Sequence, residues 1–74
     1  MTFTEYAAQH KITLLRDDIT YIRKHVAGLS PKARRALLSA YVSIWCHSRD
    51  NCQNALQADN EGRRAANIYI RELK

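Results

Sequence analysis

The chain of 74 residues carries 12 Lys and Arg against 7 Asp and Glu, which gives a formal net charge of +5 at neutral pH. A chain this short buries only about 60% of the surface that its unfolded form exposes, so it supports one domain over residues 1–74 and excludes most enzymes that need a large substrate cavity. With 46% hydrophobic residues but only 2 glycines and 1 proline, it has few turn-forming residues, and we expect long helices. Residues 1–5 show neither the basic start nor the apolar stretch of an export signal, and no run is long and apolar enough to cross a membrane, so we expect a cytoplasmic protein.

The N-terminal third predicts two helices. Thr2 and Glu5 have the spacing of a capping box, which predicts a short helix over residues 3–10. The first main helix is predicted over residues 12–27, and it ends before Gly28, which suits the left-handed conformation found after helices. It is predicted from apolar residues at alternating spacings of four and three, which place them on one helix face: Ala8, Ile12, Leu15, Ile19, Ile22 and Val26.

A second main helix is predicted over residues 31–58, with Ser30 as its N-cap and Pro31 at its first position. Because the linker is so short, the first two main helices are expected to form an antiparallel hairpin. The apolar face of the second helix comprises Leu37, Leu38, Tyr41, Ile44 and Trp45.

Turn-prone residues at 59–62 predict a break near Asp59, followed by a third main helix over residues 61–73. The alternative is one uninterrupted helix from residue 31 to about residue 73, because residues with three-four spacing continue through the break; such a helix would require a dimer. We therefore predict an all-α fold, a small bundle of three main helices built on the antiparallel hairpin, and we expect a homodimer.

The whole net charge lies in residues 10–35, which contain seven cations and two acidic residues, Asp17 and Asp18. In the rest of the chain the positive and negative charges are equal in number. These two carboxylates are adjacent, so they face different ways and are expected to moderate the basic helix. Lys32, Arg34 and Arg35 occupy the first turns of a helix, where the dipole favours acids, and a bound anion would compensate. The predicted anion-binding residues, called here the six candidate cations, are Arg16, Arg23, Lys24, Lys32, Arg34 and Arg35.

Two alternatives apply to this charge pattern. One is a solvated face that only keeps the protein soluble. The other is a helix-turn-helix centred on Gly28, but Arg23 and Lys24 would then stand where such motifs usually bury small or apolar side chains. A basic helical hairpin describes the pattern better.

Catalysis and metal binding are not expected. Cys46 and Cys52 are predicted to share one helix with His47, and residues six apart lie about 9 Å apart along the axis, too far to converge on one zinc ion. His47, Ser48 and Asp50 point in diverging directions and cannot form a triad. We expect no enzyme activity, no cofactor and no metal, and we interpret the cysteines as packing residues.

Aromatic residues are assigned mainly to the core. Tyr41, Trp45 and Tyr69 fall on predicted apolar faces. Tyr21 lies off the main stripe together with Leu14, and this second apolar edge either contacts the N-terminal segment, through Phe3 or Tyr6, or forms a protein-interaction surface.

These patterns favour a small non-catalytic, regulatory protein that binds nucleic acid through the six candidate cations. The alternative is an adaptor that docks on an acidic patch of another protein, with the cations as the rim of the contact and Leu14 and Tyr21 as anchors.

Overall fold

The computed structural model describes residues 2–73, and within them the chain forms four α-helices and no strand. The helices are α1 (Phe3–Gln9), α2 (Arg16–Val26), α3 (Pro31–Asp50) and α4 (Ala58–Glu72). The all-α class is confirmed, whereas the count of three main helices is corrected to four helices in this part of the chain. None of these helices combines the length and the apolar character needed to span a lipid bilayer.

The short helix α1 forms as its capping signal predicts. The Thr2 hydroxyl accepts a hydrogen bond from the Glu5 backbone N–H at 3.2 Å. This bond satisfies one of the backbone donors that a helix start leaves free.

The prediction of a main helix over residues 12–27 is wrong at the start of the helix, because α2 begins only at Arg16. Lys11 adopts a positive φ of 61°, which ends α1, and a chain segment without helix follows. The physical reason is that a side chain takes the place of the helical backbone donors. Arg49 of α3 donates to the carbonyl of His10 at 2.7 Å and to that of Lys11 at 3.3 Å. The predicted apolar stripe is therefore interrupted, and Leu15 is 54% exposed.

The turn between α2 and α3 matches its prediction. Gly28 has φ +88°, a conformation that side-chain-bearing residues rarely adopt. The Ser30 hydroxyl accepts from the Ala33 N–H at 3.1 Å, and Pro31 opens the helix. The chain thus leaves α2 and enters α3 through local signals alone.

Helix α3 ends at Asp50, so the predicted end at residue 58, the break near Asp59 and the alternative of one long helix are all wrong. The Asn51 side chain donates to the His47 carbonyl at 2.7 Å, which satisfies an acceptor at the end of the helix. Residues 51–57 then form a loop in which Leu56 is 93% exposed. Asp59 and Glu61 lie in the first turn of α4, where the helix dipole favours acids.

The closest helix packing joins α3 to α4, and α2 packs against α4 over a smaller area. Tyr41 and Trp45 are fully buried, which confirms their assignment to the core, and Tyr69 packs partly buried beside them. The other buried apolar residues of the core are Ala7, Ile12, Ile22, Val26, Val42, Ala66 and Ile70.

Gly62, one of the turn-prone residues on which the predicted break near Asp59 depended, is buried within α4 where that helix meets Trp45. A Cβ atom at this position would lie 2.5 Å from the Trp45 Cδ1 atom and 2.8 Å from the Trp45 carbonyl oxygen. The glycine therefore sets the distance between α3 and α4, since a backbone oxygen cannot turn aside as a flexible side chain can.

We predict that Gly62→Ala destabilises the protein by about 1–3 kcal/mol, because overpacking against Trp45 outweighs the gain of about 1 kcal/mol in helix propensity. Urea unfolding followed by circular dichroism measures the change. Arg64→Ala, two residues away on the exposed side of α4, is the control and should stay within about 0.5 kcal/mol of the parent. An alanine at position 62 as stable as glycine would contradict the close approach.

Tyr41 links the core of α3 to α4 through its hydroxyl, which donates to the Asn67 side-chain oxygen at 2.9 Å. Burial raises the pKa of the Tyr41 hydroxyl well above its usual range, and the negative charge of Asp18 adds to the effect. The folded protein therefore holds this tyrosine in its neutral form.

We predict an alkaline loss of stability that depends on Tyr41. Because its pKa is higher in the folded than in the unfolded state, its contribution is complete below the unfolded pKa of about 10 and falls as the pH rises above that value. Urea unfolding midpoints between about pH 8 and pH 11 should fall more steeply for the parent than for Tyr41→Phe. Parallel profiles for the two proteins would contradict this assignment.

Candidate functional site

The acidic residues of the basic segment differ in their surroundings. Asp17 is exposed, whereas Asp18 is 5% exposed and accepts a hydrogen bond from the Arg63 Nε atom of α4 at 2.8 Å. Asp18 also accepts from the Leu15 backbone N–H at 3.0 Å, which stabilises the start of α2. Asp18 thus neutralises a cation of α4, and it does not moderate the charge of its own helix as predicted.

Arg63 is held by more than this ion pair. Its Nη2 atom donates to the Thr13 carbonyl at 3.4 Å, and its guanidinium carbon lies 4.9 Å from the centre of the Trp45 ring. The charge is therefore shared among a carboxylate, a carbonyl and an aromatic face. The Arg63 side chain therefore stabilises the fold. Because Asp18 binds Arg63, it does not pair with the cations of residues 10–35.

The surface of residues 10–35 consequently carries more positive charge than the sequence count implies. Its seven cations are all exposed, and Asp17 is the one exposed carboxylate within this segment. The ion pairs found among residues 2–73 are Arg63 with Asp18 and Arg49 with Asp50, so the six candidate cations have no carboxylate partner there. An external anion would meet these side chains without first breaking an ion pair.

The structure brings three of the six candidate cations to a pair of neighbouring clefts. Arg23 of α2 and Arg34 of α3 line a cleft of about 240 Å³ between α1, α2 and α3, called here the Arg23 cleft. Arg35 lines a second cleft of about 380 Å³ between α1 and α3, called here the Arg35 cleft. Arg16, Lys24 and Lys32 line neither cleft.

The two clefts share apolar walls. Phe3 of α1 and Leu38 of α3 line both of them. Ile19, Ile22 and Val26 complete the apolar side of the Arg23 cleft. The three arginines therefore stand beside apolar recesses and not on a flat polar face.

The start of α3 offers few free backbone donors to an anion. Within residues 31–34, the Ala33 N–H donates to the Ser30 hydroxyl, the Arg34 N–H donates to the Ser30 carbonyl at 2.8 Å, and Pro31 has no N–H. This leaves the Lys32 N–H. The cationic side chains, more than the helix end, would supply the contacts to an anion.

Leu14 and Tyr21, the predicted interaction residues, are both half-buried and pack against the core. The Tyr21 hydroxyl lies 3.5 Å from the Asn67 carbonyl of α4, and its ring centre lies 4.3 Å from that of His25. Tyr21 thus helps to join α2 to α4. Its role with Leu14 in binding a partner stays a prediction.

The cysteines do not share a helix, contrary to the prediction. Cys46 lies in α3, Cys52 lies in the loop that follows it, and both are free thiols. Within residues 2–73 no three metal-ligating side chains come together. Nearby Arg49 has a raised pKa, first because it donates to the Asp50 carboxylate, and it serves as the donor that holds the end of α1.

Sequence reasoning identified the cations but missed the cleft walls. The sequence predicts Phe3 in the short N-terminal helix and as a contact for the edge formed by Leu14 and Tyr21, and it predicts Leu38 on the apolar face of the second main helix. Their pairing across two helices 35 positions apart leaves no local pattern in the sequence.

No protein-family model, curated protein or solved structure shows significant similarity to this chain.

We predict that Asp18→Asn destabilises the fold by about 2–4 kcal/mol, because it leaves the largely buried Arg63 guanidinium without its counter-charge. Asp17→Asn is the matched control: it removes the same charge one position away, on the exposed side, and should change stability by less than about 0.5 kcal/mol. Urea unfolding of both variants measures the difference. Equal stability of the two variants would show that the ion pair does not hold the fold.

Proposed function

We propose that this chain is a small, non-catalytic, regulatory nucleic-acid-binding protein whose six candidate cations contact phosphates. The observation that supports this proposal is that those cations are exposed and have no carboxylate partner within residues 2–73, while Asp18 is buried against Arg63. Phosphate contacts by Lys and Arg release counterions from nucleic acid, and this release supplies affinity without base recognition.

The proposal implies sequence-tolerant, salt-sensitive binding. Phosphate contacts fix the position of a protein on nucleic acid, and they carry no sequence information of their own. The affinity should therefore fall steeply as the salt concentration rises and should vary little between oligonucleotides of the same length and strandedness.

We also propose that α2 and α3 act together as an antiparallel hairpin that presents the cations, and that the protein is a cytoplasmic homodimer. A second copy would double the phosphate contacts without adding a new type of contact. Light scattering at concentrations above and below the dissociation constant tests the dimer.

An adaptor that docks on an acidic patch of another protein is the second candidate. The same cations would form the rim of that contact, and Leu14 and Tyr21 would anchor it. We rank it below nucleic-acid binding because Tyr21 is already engaged with Asn67 and His25 within the chain.

We predict that Arg34→Ala with Arg35→Ala weakens binding to an oligonucleotide of about 20 nucleotides by at least tenfold at low salt. Loss of two phosphate contacts should also reduce the slope of log affinity against log salt by about 1.4–1.8. Fluorescence anisotropy of a labelled oligonucleotide measures both quantities.

The matched control for this prediction is Arg64→Ala with Arg71→Ala, which removes the same charge from exposed positions of α4. It should retain most of the affinity if the contacts are local. An equal loss in both double variants would indicate only an effect of net charge, and binding that is absent at low salt would reject the proposed function.

A further inference from the structure

The Arg23 and Arg35 clefts combine arginines, which phosphate binding requires, with apolar and aromatic walls, which phosphate binding alone does not require. Their rims carry arginines from α2 and α3, while their walls are apolar and share Phe3 and Leu38. Tyr6 adds a second aromatic side chain to the Arg35 cleft. The Phe3 ring is half-buried and held edge-on to Tyr41, with 6.1 Å between the ring centres, so its orientation is supported from the core.

We propose that these clefts receive unpaired bases, so that the ligand is a single-stranded nucleic acid. This inference rests on the proposed function. A single strand can turn its bases toward apolar and aromatic walls while its phosphates meet the flanking arginines. A duplex hides its base faces in the stack, and it would leave the walls of both clefts in water.

The electrostatics make this preference diagnostic. For the same number of phosphate contacts, counterion release gives a steeper dependence on salt for a duplex than for a single strand, with slopes of about 0.9 and 0.7 per contact. At low salt, a surface that acts by charge alone therefore binds a duplex at least as well as a single strand. Tighter binding of the single strand must come from contacts to the bases, and Phe3 supplies the wall that both clefts share.

The experiment measures the affinity of the protein for two ligands by fluorescence anisotropy at low salt. One is a single-stranded oligothymidylate of about 20 nucleotides, and the other is the duplex that this strand forms with oligoadenylate. We expect the single strand to bind about tenfold more tightly. Phe3→Leu keeps an apolar side chain but removes the aromatic face, and it should abolish most of this preference with little effect on duplex binding. Tyr69→Leu is the control, because it removes a half-buried aromatic ring that lines a different groove, beside His25 and Leu29.

A second variant keeps the test independent of any loss of stability in Phe3→Leu. Phe3→Trp retains an aromatic wall and adds a fluorophore at the clefts, while the native Trp45 is fully buried. Oligothymidylate should quench the fluorescence of Phe3→Trp and leave that of the parent protein nearly unchanged. Urea unfolding of each variant confirms that it is folded during the binding measurement.

The possible outcomes separate this inference from the proposed function. Equal affinity for both strand forms overturns the single-strand inference, and so does a full preference retained in Phe3→Leu. Neither result contradicts the phosphate contacts, which the Arg34 and Arg35 variants test separately. Binding to neither form at low salt overturns both proposals. Binding to a polyglutamate peptide and to neither nucleic acid overturns both in favour of an acidic protein partner.

Discussion

The ion pair between Arg63 and Asp18 fixes the position of α2 in this small fold. The helix shares only a limited backbone contact with α4, yet Asp18 at its start is buried and bonded to a side chain of α4 at 2.8 Å. The same guanidinium lies over Trp45 of α3 and reaches the Thr13 carbonyl in the segment before α2. One side chain therefore joins three parts of the chain, and Gly62 beside it allows α3 and α4 to approach closely.

This arrangement couples stability to the charge of the surface. Had Asp18 remained exposed, it would have offset one of the cations of its own segment. Because it is buried against Arg63, the exposed part of residues 10–35 retains seven cations and one carboxylate. Repulsion among these cations is moderate, since solvent and salt screen exposed charges. The buried pair can therefore stabilise the fold while the surface keeps its positive potential.

The elements that local chemistry determines were predictable from the sequence. The Thr2 cap, the turn at Gly28 and the start of α3 at Ser30 all depend on residues within a few positions of one another. Where tertiary contacts decide, prediction failed. The apolar spacing runs without a break from Ala8 to Val26, yet the helix is interrupted after α1. Arg49, 39 positions away from His10, stabilises this interruption by donating to the His10 carbonyl.

The candidate site likewise has a part that the sequence predicts and a part that depends on tertiary contacts. Cations are visible in a sequence because their number and order do not depend on packing, so all six candidates could be named in advance. Which cations pack into the fold is not visible, and Arg63 against Asp18 is the example. The clefts exist only because α1 folds back beside α2 and α3 and places Phe3 next to Leu38. A count of charges describes how strongly such a surface attracts an anion, whereas the walls between those charges decide which anion fits. In the single-strand proposal, the apolar walls are the part of the site that would give the positive charge of this chain a chemical preference.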